Sequence, residues 1–161
     1  EGRLGLGDAD SLEKDVDGDV MCSAPRNVVF FVDETEGDED VISVAIGYSL
    51  LLAVVRSGKG GKGTLWAAGL HPPIGLTSPA PSLRRIHLPS SPGGVRTVAC
   101  SGAEPSAGQG GWTPVVVALE DGSVLHLSTD PASPGWSEIP GVTSCKAVAA
   151  GPSHTLSMEE G

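Results

Sequence analysis

Three segments of the chain, VISVAIG (Val41 to Gly47), VRTVACS (Val95 to Ser101) and CKAVAAG (Cys145 to Gly151), align without gaps and share Val-Ala at their fourth and fifth places. Their starts lie 54 and 50 residues apart. A repeat of this period constrains the fold more than any single residue, because each copy must form the same small unit and bury its faces on its neighbours. The first and third copies continue in register, GYSLLLAV (Gly47 to Val54) over GPSHTLSM (Gly151 to Met158). The second is interrupted by Ala103 to Thr113 before PVVVALEDG resumes. Another strand-like run follows the first two copies, GTLWAAG from Gly63 and GSVLHLS from Gly122. The third copy lacks this run, so the sequence is expected to stop inside a hairpin.

Turn chemistry identifies the unit. Glu120-Asp121-Gly122-Ser123 lies between apolar runs, and an Asp-Gly pair supplies the positive φ that a tight connection between twisted strands needs. Val and Leu dominate the flanking runs, and no stretch keeps a 3.6-residue apolar period over three turns. Short strands recurring at about 50 residues predict four-stranded units arranged radially, with the Val-Ala-small triplets near a crowded axis. The expected fold class is all-β, a partial β-propeller of about three repeats. The repeats are placed at about 2–69, 70–128 and a truncated 129–161, making 1–161 one incomplete propeller domain.

GRLGLGD (Gly2 to Asp8), the Val-Ala strands, GPSHT (Gly151 to Thr155) and GTLWAAG (Gly63 to Gly69) together resemble the repeat of the regulator of chromosome condensation family. That repeat runs as G-Q-L-G-L-G-D, P-x-x-V, V-A-C-G-x-x-H-T and G-x-V-Y-x-W-G. The chain departs from it at Arg3, at Leu50 and Leu51 in place of His-Thr, at Ala68, and across LHPPIGL (Leu70 to Leu76). The resemblance implies a seven-bladed propeller of roughly 350 residues or more at this period, of which the chain would be a fragment with a blade face uncovered at each end. Its members include exchange factors for the Ran-type GTPase, accessory propellers of ubiquitin ligases, a plant ultraviolet photoreceptor and scaffolds, so it implies a fold more narrowly than an activity.

Charge is concentrated at one end. Residues 1–40 hold 13 acidic and 3 basic side chains, while the remaining 7 acidic and 7 basic residues balance. Phosphate binding needs clustered Lys and Arg, so direct nucleic-acid binding is not expected. The run Asp33, Glu34, Glu36, Asp38, Glu39 and Asp40 is a candidate surface for a basic protein, such as a histone tail or a basic face of a small GTPase. Its plainer reading is a solvated loop between Phe31 and Val41. His154 occupies the histidine place of the family's G-x-x-H-T turn. The resemblance therefore implies either a partner-facing residue or a side chain that holds the turn.

Other motifs fail on chemistry. Glu13, Asp15, Asp17 and Gly18 imitate a calcium loop, but its twelfth place is Ala24 instead of a bidentate Glu. GKGGKGT (Gly58 to Thr64) has the composition of a phosphate loop, but Gly63 follows Lys62 where Ser or Thr is required, and a strand is expected next. Cys22, Cys100 and Cys145 have neither C-x-x-C spacing nor an even count. Cys100, in the column of Ile46 and Ala150, reads as a small buried residue in a reducing compartment. Val41 to Val55 spans fifteen residues and contains Gly47-Tyr48-Ser49, too short and broken for the roughly 20 apolar residues a bilayer requires. Trp66, Trp112 and Trp136 read as packing or loop residues, since Tyr48 and Pro152 stand where the photoreceptor's turns carry Trp.

The expected function is a protein–protein interaction module in cytoplasm or nucleus, with no catalytic residues, cofactor, metal or membrane association. The alternative is guanine nucleotide exchange on a Ran-type GTPase, by a noncovalent wedge that favours the nucleotide-free state. Made alone, the chain is expected to aggregate or fold loosely, because each exposed Å² of apolar face costs about 25 cal/mol.

Overall fold

The computed structural model describes residues 13–14, 20–21, 39–89, 93–102, 112–128, 130, 135–152 and 154–159. Among these the chain is all-β, and its strands follow one another as antiparallel meanders. A short pair, β1 (Glu13–Lys14) and β2 (Val20–Met21), comes first. The first full sheet runs in order β3 (Glu39–Ile46), β4 (Leu50–Ser57), β5 (Gly63–His71) and β6 (Leu76–Ile86), with a 3-10 turn at Pro72–Ile74 before β6. The second runs β7 (Val95–Cys100), β8 (Val115–Leu119), β9 (Val124–Ser128) and β10 (Gly135–Glu138). The third is the pair β11 (Cys145–Ala150) and β12 (Thr155–Glu159).

The three aligned segments are the first strands of the three sheets, β3, β7 and β11. The correspondence extends to a backbone irregularity. Pairing with the second strand slips between Val41 and Ser43, between Val95 and Thr97, and between Cys145 and Ala147. The same column therefore carries a β-bulge three times, at Ile42, Arg96 and Lys146, which bends each first strand alike. The sheets are framed differently from the sequence repeats: Gly69 falls inside β5, and β6 completes the first sheet at Ile86. β6 carries Pro79 and Pro81, which is tolerable because an edge strand does not need every amide for a ladder.

The second strands of the first two sheets, β4 and β8, read as unbroken apolar runs because both of their faces are buried. Leu50, Leu52 and Val54 of β4, with Leu65 and Ala67 of β5, turn toward the second sheet. They meet Val95 and Val98 of β7, Val115, Val117 and Leu119 of β8, and Leu125 and Leu127 of β9 in one cluster. The alternate residues Val116, Ala118 and Val124 turn the other way and pack with Cys145, Val148 and Ala150 of the third sheet. Each fully buried Leu or Val contributes about 1.5–3 kcal/mol relative to exposure, so this stacking is the main source of stability.

Polar contacts fix the stacking. The hydroxyls of Ser43 and Thr97, equivalent residues of β3 and β7, lie 3.1 Å apart. The Arg96 guanidinium donates to the carbonyls of Glu120 and Cys145, at 3.0 and 3.3 Å, joining the second sheet to the third. The Cys145 amide donates to the Gly122 carbonyl at 2.9 Å. Gly122 itself closes the β8–β9 hairpin with φ +89°, as the third residue of a loop whose first turn is bonded from the Gly122 amide to the Leu119 carbonyl at 3.1 Å. A Cβ there would collide with the Thr143 carbonyl oxygen.

Candidate functional site

Stacking the first strands side by side gives the molecule two ends. At one end lie the turns that follow the first strands. In the first sheet the Gly47 amide donates to the Leu50 carbonyl at 2.7 Å, and in the third the Gly151 amide donates to the His154 carbonyl at 2.8 Å. These are the same turn in two repeats. His154 is exposed, and its imidazole folds back over Gly151, where a Cβ would come within 2.6 Å of the ring. The equivalent place in the first sheet is Leu50, fully buried against the second sheet. His154 thus combines turn shape with accessibility.

The opposite end holds the starts of the first strands and the tips of the β4–β5 and β8–β9 hairpins. Glu39 and Asp40 open β3, paired across the ladder with Ser57 and Arg56. Asp33, Glu34, Glu36 and Asp38 lie outside the described residues. β3 is eight residues long, so its two ends are separated by about 20 Å or more. The structure therefore does not bring His154 together with Glu39 and Asp40. Arg56 pairs with Glu120 at 3.0 Å, and the Glu120 amide donates to the Gly94 carbonyl at 2.8 Å. Both side chains of the ion pair are about a third exposed, so it ties the two hairpins at a gain of about 1 kcal/mol or less.

Beside this tie is an open cleft of about 210 Å³, lined by Lys62, Thr64, Arg85, His87, Gly94 and Val95 among others. Its three basic side chains come from a hairpin tip and the end of β6, positions too far apart in sequence to register as a cluster. Gly58 to Lys62 is the connection between antiparallel β4 and β5, and no helix begins there to cradle a phosphate. Asp15, Asp17, Gly18 and Ala24 of the calcium-like motif, and Cys22, fall outside the described residues. Among the described residues no group of three His, Cys, Asp or Glu side chains is placed to hold a metal, and no helix is long and apolar enough to cross a membrane. Burial pushes the Cys100 thiol up to about 12, so it stays protonated and unreactive at neutral pH.

Sequence reasoning missed His71, which the fold buries completely at the end of β5. Its Nε2 lies 2.8 Å from the Thr113 carbonyl, which can only accept, so Nε2 carries the proton. The ring also meets Trp112 edge-on, with centroids 5.7 Å apart. Nδ1 and the Thr113 hydroxyl have no hydrogen-bond partner among the described residues. Burial lowers the His71 pKa below its ordinary value, and partial burial lowers that of His126. An unfolded histidine binds its proton near pH 6.5, before the folded one does, so this contribution is present above about 6.5 and is lost as pH falls toward the lowered folded value. Stability is expected to fall between pH 7 and 5, by at most about 1.4 kcal/mol per pH unit for a fully buried histidine. Melting temperatures across this range read the slope, which in His71→Phe should shrink to the His126 share. An unchanged slope would show that His71 is not the buried titrating group.

Comparison with family models, curated proteins and solved structures finds no match.

Proposed function

We propose that the chain is a β-propeller-type protein-interaction module related to the regulator of chromosome condensation repeats. The observation that carries this reading is the recurrence of one strand, with one bulge, at the head of three consecutive antiparallel sheets whose first strands lie side by side. Such a stack supplies a rigid frame and leaves its turns free to present side chains, the division of labour seen wherever loops recognise a partner. On this reading the acidic run from Asp33 to Asp40 attracts a basic protein segment, and His154 marks a second contact at the end of the stack away from Glu39 and Asp40.

The test uses a Lys/Arg-rich histone-tail peptide. Binding is expected to weaken with salt and to drop at least tenfold when Asp33, Glu34, Glu36, Asp38, Glu39 and Asp40 are changed to Asn and Gln. Binding that is absent, or unaffected by neutralisation, would contradict the acidic surface. The same variant should melt within a few degrees of the parent, because on this reading the run is solvated and solvated carboxylates contribute little to folding. Guanine nucleotide exchange is the second reading, based on the resemblance alone. Labelled GDP release from a Ran-type GTPase is expected to be unchanged by the chain, and strong acceleration would make exchange the better account.

A further inference from the structure

We propose that Ser78 is a phosphorylation site for a proline-directed serine/threonine kinase, presented to solvent by an irregularity in β6. The chain contains four Ser-Pro or Thr-Pro pairs, beginning at Ser78, Ser91, Thr113 and Ser133. Ser91 and Ser133 lie outside the described residues, and the fold treats the other two oppositely. Thr113 is 1% exposed, and its carbonyl accepts from the His71 ring at 2.8 Å. Thr77, Ser78 and Pro79 are all exposed. The same dipeptide is sealed in one place and open in the other.

The exposure has a backbone cause. β6 pairs with β5 at Leu76 against His71, next at Ala80 against Gly69, and then not until Arg84 against Ala67. In each gap three residues of β6 stand opposite one of β5, Thr77 to Pro79 opposite Leu70 and Pro81 to Leu83 opposite Ala68. Leu70 turns its polar groups the other way: its amide donates to the Ser49 carbonyl at 3.0 Å, and its carbonyl accepts from the Ser49 hydroxyl at 3.0 Å. Pro79 and Pro81 have no amide to offer a ladder. Leu76 and Ala80 are buried, so Thr77, Ser78 and Pro79 bow outward between two anchored residues. β6 also ends its sheet, with no fifth strand beyond it among the described residues. Peeling this stretch into an enzyme's groove therefore breaks few ladder bonds, and openings of this low cost are where modifying enzymes gain access.

Chemistry then selects Ser78 from its neighbours. A residue before proline is driven to extended backbone, the shape in which a kinase groove takes its substrate. Proline-directed enzymes accept a following residue that brings no amide hydrogen, as Pro79 does for Ser78. Thr77 is followed by Ser78, and the buried Ser82 by Leu83, each with its amide. In the transfer the Ser78 Oγ attacks the γ-phosphorus of ATP, its proton passes to the kinase's catalytic aspartate, and the bond to ADP breaks. The product carries a charge of about −1.5 to −2 on an exposed stretch, where water solvates it.

The test uses the full chain with Ser91→Ala and Ser133→Ala, a mitogen-activated protein kinase and magnesium ATP, read by site-resolved mass spectrometry. Phosphate is expected on Ser78, with Thr113 unmodified in the folded chain. Ser78→Ala should abolish that incorporation. Pro79→Ala keeps the hydroxyl and should slow incorporation by about tenfold or more. Both changes fall at exposed positions, so the variants should melt within a few degrees of the parent. An unreactive Ser78, phosphate on Thr77, Ser82 or Thr113 in its place, or a Pro79→Ala chain that reacts as fast as the parent would each overturn the proposal.

Discussion

Gly63→Ala is expected to lower the melting temperature by about 10 °C, because the added methyl group would occupy space held by the neighbouring sheet's backbone. A Cβ built on Gly63 collides with the Val95 carbonyl oxygen and lies 3.0 Å from its carbon. Both atoms are main chain, so relief requires the first and second sheets to separate at the point where β5 begins beside β7. Overpacking of this kind costs about 3 kcal/mol at the upper end of its usual range. Lys59→Ala at the nearby hairpin tip is the control, with an expected change within about 0.5 kcal/mol. Equal melting of the two variants would mean that β5 and β7 do not approach as described.

Leu52→Ala should cost about 2–5 kcal/mol, whereas Leu156→Ala, the same column of the repeat, should cost about 0.5 kcal/mol or less. The difference depends wholly on the stacking. Leu52 is sealed between two sheets, and its truncation leaves a cavity that the flanking strands cannot collapse to fill; Leu156 stands in solvent in the isolated chain. Denaturant unfolding of both variants reads the contrast. Similar losses for both would contradict the burial of Leu52 between two sheets and the exposure of Leu156.

The features legible in the sequence are those carried by local pattern. The Val-Ala columns mark β3, β7 and β11, the apolar runs after them mark β4 and β8, and Glu120 to Ser123 marks the hairpin into β9. The fourth strands, β6 and β10, escaped this reading for a physical reason. β6 contains two prolines and two arginines, and β10 is four residues long, so neither shows the alternation of a half-buried strand. The proximity of Gly63 to Val95, the Arg56–Glu120 pair and the basic cleft join residues that no local spacing connects. In sequence His71 is part of a worn loop motif, because its burial depends on Trp112 and Thr113 packing over the end of β5. Of the acidic candidate surface, Glu39 and Asp40 fall at the start of β3, and His154 falls at the other end of the stack.

Equivalent first strands lie side by side, each against its immediate neighbour, and oxidative cross-linking tests this directly in a chain with Cys22, Cys100 and Cys145 replaced by Ser. Ser43→Cys with Thr97→Cys places thiols where two hydroxyls now lie 3.1 Å apart, and a disulfide is expected to form readily under mild oxidation. Ser43→Cys with Ala147→Cys joins the same column two sheets apart and should stay reduced within one copy. Rapid bridging between positions 43 and 97, without intramolecular bridging between positions 43 and 147, is the predicted result. Failure of the first pair, or efficient closure of the second within a single chain, would contradict the stacked arrangement.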